Sequence, residues 1–418
     1  MLFAGGDNVD LVYTSNWCFY TQEAGKGAFK ELSMDFIKKY MPQTYQSQAK
    51  VSWDQIAING KIYAVPQNFD NTISSYKYVA YREDLRKKYN LPEITDIASM
   101  QQYLFTVAEK DKGIQAVASA GENDELRNIL LFQQNNLARP DPSYDFMYQL
   151  KDSKAPAESD IFYVYTSDYF KNFCETMATW ANKGVWSKNA INNTVSVNDS
   201  YANGRSSLIA WNGSVFTYGK KLDESKTGTT AYADVTPNSI VKAQPLTGDA
   251  VAVAHNSKNP ERAAMALDLM KNNKDLNNLL EGGIKGTHYV VNSDGTRSLG
   301  KDASKYAWDG WSWGIRSADQ LTQSDIDKRQ TGIESKITSR IIKTDIDGFT
   351  FDESNVKTEM SVLNSVRDEY LPSFELGAYG SNTSKIFEEF KQKINQAGLE
   401  KIQKEYLTQY KAYLAKNK

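Results

Sequence analysis

The chain has 418 residues but only two cysteines, Cys18 and Cys174, and only two histidines. The cysteines show no paired spacing of the kind that holds zinc, and two histidines leave little for a histidine metal site or a catalytic triad. Both thiols read as small packed hydrophobes. A disulfide between them stays open, because separation in sequence does not decide geometry. No apolar run reaches the roughly 18 residues of a membrane-spanning helix. A net charge of −2 supplies no basic field, which argues against nucleic acid or acidic lipid as partner. Phosphate loops, HExxH, GxSxG and EF-hand loops are missing as well. SxxK occurs at Ser47/Lys50, Ser74/Lys77 and Ser354/Lys357, a pattern loose enough to arise by chance in a Lys- and Ser-rich chain. Asp345-Ile346-Asp347-Gly348 lacks the further acidic positions of a calcium loop and reads as a turn. No cofactor and no metal are implied. Met1–Gly6 has neither basic start nor apolar core, so it does not read as a signal peptide.

What is present is globular. Hydrophobic residues make up 40% and charged residues 24%, and the length suits two or three domains with a large core. Aromatics reach 12%, with 25 tyrosines and 8 tryptophans. That suits a surface that stacks on flat ligands, or simply a tyrosine-rich secreted protein.

The chain is organised around Asn59–Asn71. Asn59-Gly60 is a tight-turn dipeptide, since both residues tolerate positive φ. Ile62-Tyr63-Ala64-Val65 reads as a short buried strand, and Pro66, without an N–H, is expected to stop it. Beyond it the chain turns polar through Gln67, Asn68, Asp70 and Asn71 around Phe69, as the wall of a polar-ligand cleft should. Asp10–Thr14, Thr72–Arg82, Tyr201–Gly213 and Ala250–Ala254 read as further strands. Periodicity predicts helices over Gly27–Tyr40, Arg82–Tyr89, Ile97–Lys110, Glu125–Asn136 and Ser167–Gly184, and another opening at Asn259-Pro260. Ala138–Asp160, rich in Pro, Asp and Ser, reads as loop. Asn292–Thr296 reads as a hairpin turn around Asp294-Gly295. Ile386–Ala415 carries an apolar stripe, interrupted at Gly398. Trp308, Trp311 and Trp313 fall within six positions, and alternate spacing would put Trp311 and Trp313 on one face of an extended segment.

Several stretches resemble one family in the right order. Asn59–Pro66 resembles the NGKIYAVP signature of the extracellular solute-binding proteins of sugar ABC importers. Gly5–Thr14 is similar to that family's strand ahead of the cleft, and Tyr201–Gly213 to a cleft strand of its second lobe. Leu279–Tyr289 resembles "yGieGkhY" and Asp347–Val356 "f.fd.s.vk", both of the lipoprotein-type branch. The resemblance implies an α/β, two-lobe periplasmic-binding-protein-like type II fold with hinge crossings. Its first lobe would be 1–72 with 248–310, lacking a first strand–helix pair at its N-terminus. Its second lobe would be 73–247 with 311–418, and Gln244–Asp249 a crossing. It also implies a monomeric extracytoplasmic component, anchored by an N-terminal lipid outside this sequence, that delivers sugar to membrane permease subunits.

Sugars present an apolar C–H face and a rim of hydroxyls, so aromatic plates and polar forks are the residue types to seek. Trp17, Trp211, Trp308, Trp311 and Trp313 are candidate plates. Asn16, Asn68, Asp70, Asn212 and Arg316 are candidate rim partners. Along the strand that ends at Trp211, alternation leaves open whether Trp211 or Val215 faces the ligand. The expected function is capture of an oligosaccharide without chemical change. The rivals are a glycoside hydrolase using two of Asp70, Glu281 and Asp309, and a non-transport sugar receptor.

Overall fold

The computed structural model describes residues 9–15, 19–67, 76–308, 310–313, 315, 317, 320–321, 323–324, 328–346 and 348–416. Its two main sheets use seven strands: β1 (Leu11–Thr14), β2 (Ala64–Pro66), β3 (Tyr78–Arg82), β4 (Gln115–Val117), β5 (Ser206–Trp211), β6 (Thr230–Ala233) and β7 (Ala250–Val253). β7 lies between β1 and β2, antiparallel to both, with Thr14, Ala250 and Pro66 in register at one edge. The second sheet has the order β4-β5-β3-β6. Each sheet has its own core. One draws on Phe29, Ile37, Trp53, Val65, Val251 and Leu267, and on Ile315. The other, larger core joins Val79, Tyr103, Phe146, Phe170 and Leu208 to Phe374, Phe390 and Tyr406 near the C-terminus.

Asn59 (φ 51°) and Gly60 (φ 78°) make the expected turn, with Ile58 and Lys61 bridged across it. β2 ends at Pro66 as expected, but the proline is itself paired, opposite Ala250. On an edge strand one side of the backbone feeds no ladder, so proline fits there. The helix predicted over Gly27–Tyr40 is confined to Met34–Tyr40. Gly27 turns the chain at φ 77°. Phe29 then bridges Ala254, and the Leu32 N–H donates to the Ile62 carbonyl at 2.8 Å. Ser33 starts the true helix by accepting from the Phe36 N–H at 3.1 Å, the usual capping arrangement.

Helix Ile97–Lys110 forms as predicted behind an Asp96/Ser99 capping box. The segment 138–160 is not simply loop: Phe146–Gln149 is a strand flanked by Leu137–Ala138 and Phe162–Tyr163, with Phe146, Met147 and Tyr148 buried. Hairpin Tyr289–Val291/Arg297–Leu299 turns at Asp294-Gly295 as predicted. The C-terminal stripe becomes two helices, Thr383–Gln396 and Leu399–Lys416, parted at Gly398 (φ 99°). No described helix is long and apolar enough to cross a membrane. Cys174 is a buried free thiol, and Cys18 lies outside the described residues.

Candidate ligand cleft

The ends of β1 and β2 and the start of β7 share one edge, and that edge is tied together. The Tyr13 hydroxyl donates to Asp249 Oδ1 at 2.7 Å, and the Gln67 N–H to the Asp249 carbonyl at 2.9 Å. Gln67 Oε1 is buried here and finds no partner among the described residues. Asn16 and Trp17 follow β1 in sequence, and Asn68 and Asp70 follow β2; all four lie outside the described residues, as do Arg316, Asp309 and the side chain of Trp311.

In the second lobe Trp211 ends β5 half-buried, opposite Tyr78. Val215 is fully buried, so of the two alternatives Trp211 is the one with an open face. Asn212 is exposed, and its Oδ1 accepts the Ser214 N–H at 2.9 Å, which shapes the turn into the next helix.

The tryptophan-rich segment is not extended. Gly310–Trp313 is a helical turn, and the ring pair it forms is Trp308 on Trp313, stacked at 5.0 Å with planes 14° apart. Glu281 supports this pair: Oε1 accepts from Trp308 Nε1 at 3.1 Å and Oε2 from Gln320 Nε2 at 3.0 Å. Gly310 sits so close that a Cβ there would lie 2.3 Å from Glu281 Oε1, so glycine is required for the carboxylate to approach. Trp313 is 48% exposed. A rigid indole plate backed by a second ring and open on its far side matches the apolar face of a sugar. Beside Trp308, a cavity of about 110 Å³ is lined by Tyr306, His288, Arg297 and Glu281 among others, with His288 stacked on Tyr306 at 5.2 Å.

A polar pocket between the lobes escaped the sequence reading. Gln22, from the first lobe, faces Ser143, Tyr144, Asp145, Tyr163, Asn364 and Arg367 of the second across about 130 Å³. Burial alone would raise the Asp145 carboxyl, but the guanidinium groups of Arg139 and Arg367 outweigh it and hold the group below its ordinary range. Their contacts to Asp145 are 3.0 and 3.1 Å. The Tyr163 hydroxyl is buried and finds no partner among the described residues, and burial keeps it protonated. No local motif announces these residues. Ser143–Asp145 fall in the stretch read as loop, and Arg367 sits on a helix whose charges look like a solvated face.

Residues 345–415 match a domain of unknown function, DUF3502. A carbohydrate ABC transporter substrate-binding protein of Streptococcus pneumoniae serotype 4 is 22% identical over 437 residues, which span 100% of this chain and 82% of that one. Among solved structures, the N-glycan transport solute binding protein NgtS of Streptococcus pneumoniae superposes with a TM-score of 0.77 at 19% identity, over 100% of this chain and 89% of that chain. This chain has the two-lobe fold of solute-binding proteins. NgtS in complex with Man5GlcNAc gives 0.74 at 20% identity, over 100% and 88% of the two chains. The alginate-binding protein AlgQ2 without calcium ion gives 0.71 at 17%, over 98% and 87%. The solute-binding fold thus covers the whole chain, and its cleft chemistry has to come from the residues described above.

Proposed function

We propose that the protein is the extracytoplasmic substrate-binding component of an ABC importer, which captures an oligosaccharide between its lobes and hands it on unchanged. The observation that carries this is the inter-lobe pocket, where Gln22 of one lobe meets Tyr163, Asn364 and Arg367 of the other. Amide, phenol and guanidinium–carboxylate groups satisfy hydroxyls that both donate and accept. A ligand touching both lobes favours their closure by its differential affinity for the closed state. The stacked Trp308/Trp313 pair, Trp211 and the candidates Asn16, Trp17, Asn68, Asp70, Asn212, Trp311 and Arg316 supply plates and rim. Lobe limits of 1–72 with 248–310 and 73–247 with 311–418 go with this reading. The two cores support them except at Ile315, which packs in the first. Its partners are a membrane permease and the sugar, the protein itself acting as a monomer held to the outer face of the membrane by an N-terminal lipid.

The named relatives are substrate-binding proteins. No observation favours hydrolysis: both Glu281 oxygens already accept hydrogen bonds. A thermal-shift panel of plant and host oligosaccharides, Man5GlcNAc included, tests the proposal. A binder present at about 100 times its Kd adds about 2.7 kcal/mol of stability, so at least one member raises Tm by several degrees. A flat panel contradicts the reading. Trp17→Ala combined with Trp311→Ala weakens the binder about tenfold or more, roughly 1.4 kcal/mol, and an unchanged affinity removes those two plates from the site.

A further inference from the structure

We propose that the cavity beside Trp308 is a subsite for the carboxylate of an acidic sugar, with Arg297 as the residue that selects it. The proposal rests on the oligosaccharide capture proposed above and narrows its ligand to glycans that carry a carboxyl group on a sugar ring.

Arg297 opens the second strand of hairpin Tyr289–Val291/Arg297–Leu299, opposite Val291. Alternation along the hairpin puts its side chain on the same face as Tyr289. It is half-buried, and its guanidinium has no hydrogen bond or ion pair among the described residues. Every other described arginine either holds a carboxylate or is exposed to water. A guanidinium drawn partly out of water without an acceptor is costly, so the donors of Arg297 are open to an acceptor that enters the cavity it lines.

The surroundings hold that arrangement in place. A Cβ at Gly282 would lie 2.8 Å from Tyr289 Cδ1 and 3.0 Å from Arg297 Nη1, so glycine lets both side chains lie against the end of helix Lys274–Gly282. The Tyr306 hydroxyl donates to the Leu279 and Leu280 carbonyls at 3.1 and 2.5 Å, which fixes the ring on which His288 stacks. His288 Nδ1 accepts the Ile284 N–H at 2.9 Å, so the neutral imidazole carries its proton on Nε2 as a further donor. Glu281 lines the same cavity, and its charge opposes an incoming anion. Its two oxygens are taken by Trp308 and Gln320, however, and no ion pair joins it to Arg297 among the described residues. The planar fork of a guanidinium matches the coplanar oxygens of a carboxylate in two parallel hydrogen bonds. The cavity, about 110 Å³, admits that group and the ring carbon that bears it, with the rest of the sugar beside the Trp308/Trp313 pair. Uronic acids and sialic acids share this chemistry.

Calorimetry on the full chain tests this with trigalacturonic acid and sialyllactose, each against its methyl ester, which keeps the sugar and removes the charge. One of the two acids should bind the wild type at least about tenfold more tightly than its ester, and which one does so separates the uronic from the sialic source. In Arg297→Gln that acid should weaken about tenfold while its ester stays within about twofold. Arg297→Lys, with the charge but not the fork, should keep only part of the preference; should Arg297→Gln not fold, this variant carries the comparison. Equal binding of acid and ester by the wild type, or a preference that survives Arg297→Gln in full, overturns the proposal. Man5GlcNAc and the other neutral sugars of the panel keep the two readings apart. A neutral binder with no acid preference overturns the subsite alone, and a chain that binds no sugar overturns capture and subsite together.

Discussion

Both carboxylate oxygens of Glu281 are occupied, one by an indole N–H and one by an amide, so this residue is a support for aromatic rings. Trp313, stacked on Trp308 but 48% exposed, contributes little to the core. Trp313→Ala should therefore leave stability within about 0.5 kcal/mol yet weaken oligosaccharide binding about tenfold. Denaturant unfolding and calorimetry on one preparation would show it, and equal losses in both would make the ring structural. Asp141 offers a pH test. Burial pushes its carboxyl up to about 6, against the pull of the Phe351 and Ser143 N–H groups. A carboxyl that keeps its proton to higher pH folded than unfolded, where its pKa is about 3.9, favours the fold most below about pH 4. That contribution is lost as pH rises through about 6, and about two units correspond to about 3 kcal/mol. Burial raises Glu125 and Glu375 too, so the readout is a difference: between pH 4 and 6.5 the stability of Asp141→Asn should gain on wild type by an amount of that order. Parallel curves from urea unfolding would refute the assignment. At this scale the sequence showed which residue types to seek, and the structure leaves Trp211 half-buried and Trp308 stacked on the exposed Trp313. It did not show Gln22, Tyr163 or Arg367, because a pocket between lobes joins residues hundreds of positions apart and leaves no local pattern.

Secondary structure was legible wherever one signal dominated. The apolar stripe of the last two helices, the Asp294-Gly295 hairpin and helix Ile97–Lys110 all formed as their periodicity and turn residues require. Mixed signals misled. The Pro, Asp and Ser of 138–160 hid the buried strand Phe146–Gln149, and apolar Phe29 and Leu32 suggested a helix although tertiary pairing to Ala254 and Ile62 holds them extended. The C-terminal helices are bound to the second lobe by aromatic packing: Tyr406 meets Phe146 at 4.4 Å, Phe351 at 5.0 Å and Phe349 at 5.2 Å. Tyr406→Ala should cost about 3–5 kcal/mol, seen as a lower denaturant midpoint, and a loss under about 1 kcal/mol would show that the helices are held elsewhere. Gly398 stands at φ 99°, where an added Cβ would lie 2.8 Å from the Glu359 side chain. Gly398→Ala should accordingly destabilise by about 1–3 kcal/mol, and wild-type unfolding in that variant would refute the need for glycine.

Across the described residues, the core under the first sheet is separate from the two that pack on opposite faces of the second, and the likeness to NgtS extends over the full chain. Cores kept separate in this way would let a sugar bridging Gln22 and Arg367 draw the lobes together without disturbing any of them. Two-lobe topology was readable because its signature strands are local and ordered along the chain; the pocket that Gln22 shares with Tyr163 and Arg367 was not, because these residues lie far apart in sequence. The central claim, capture without chemistry, is tested most directly by titrating the purified protein calorimetrically with the oligosaccharides of the panel and analysing the recovered sugar by mass spectrometry. The account predicts one-to-one binding with Kd on the order of micromolar, about −8 kcal/mol, and sugar of unchanged mass; absence of binding by every member, or recovery of cleaved sugar, would contradict it.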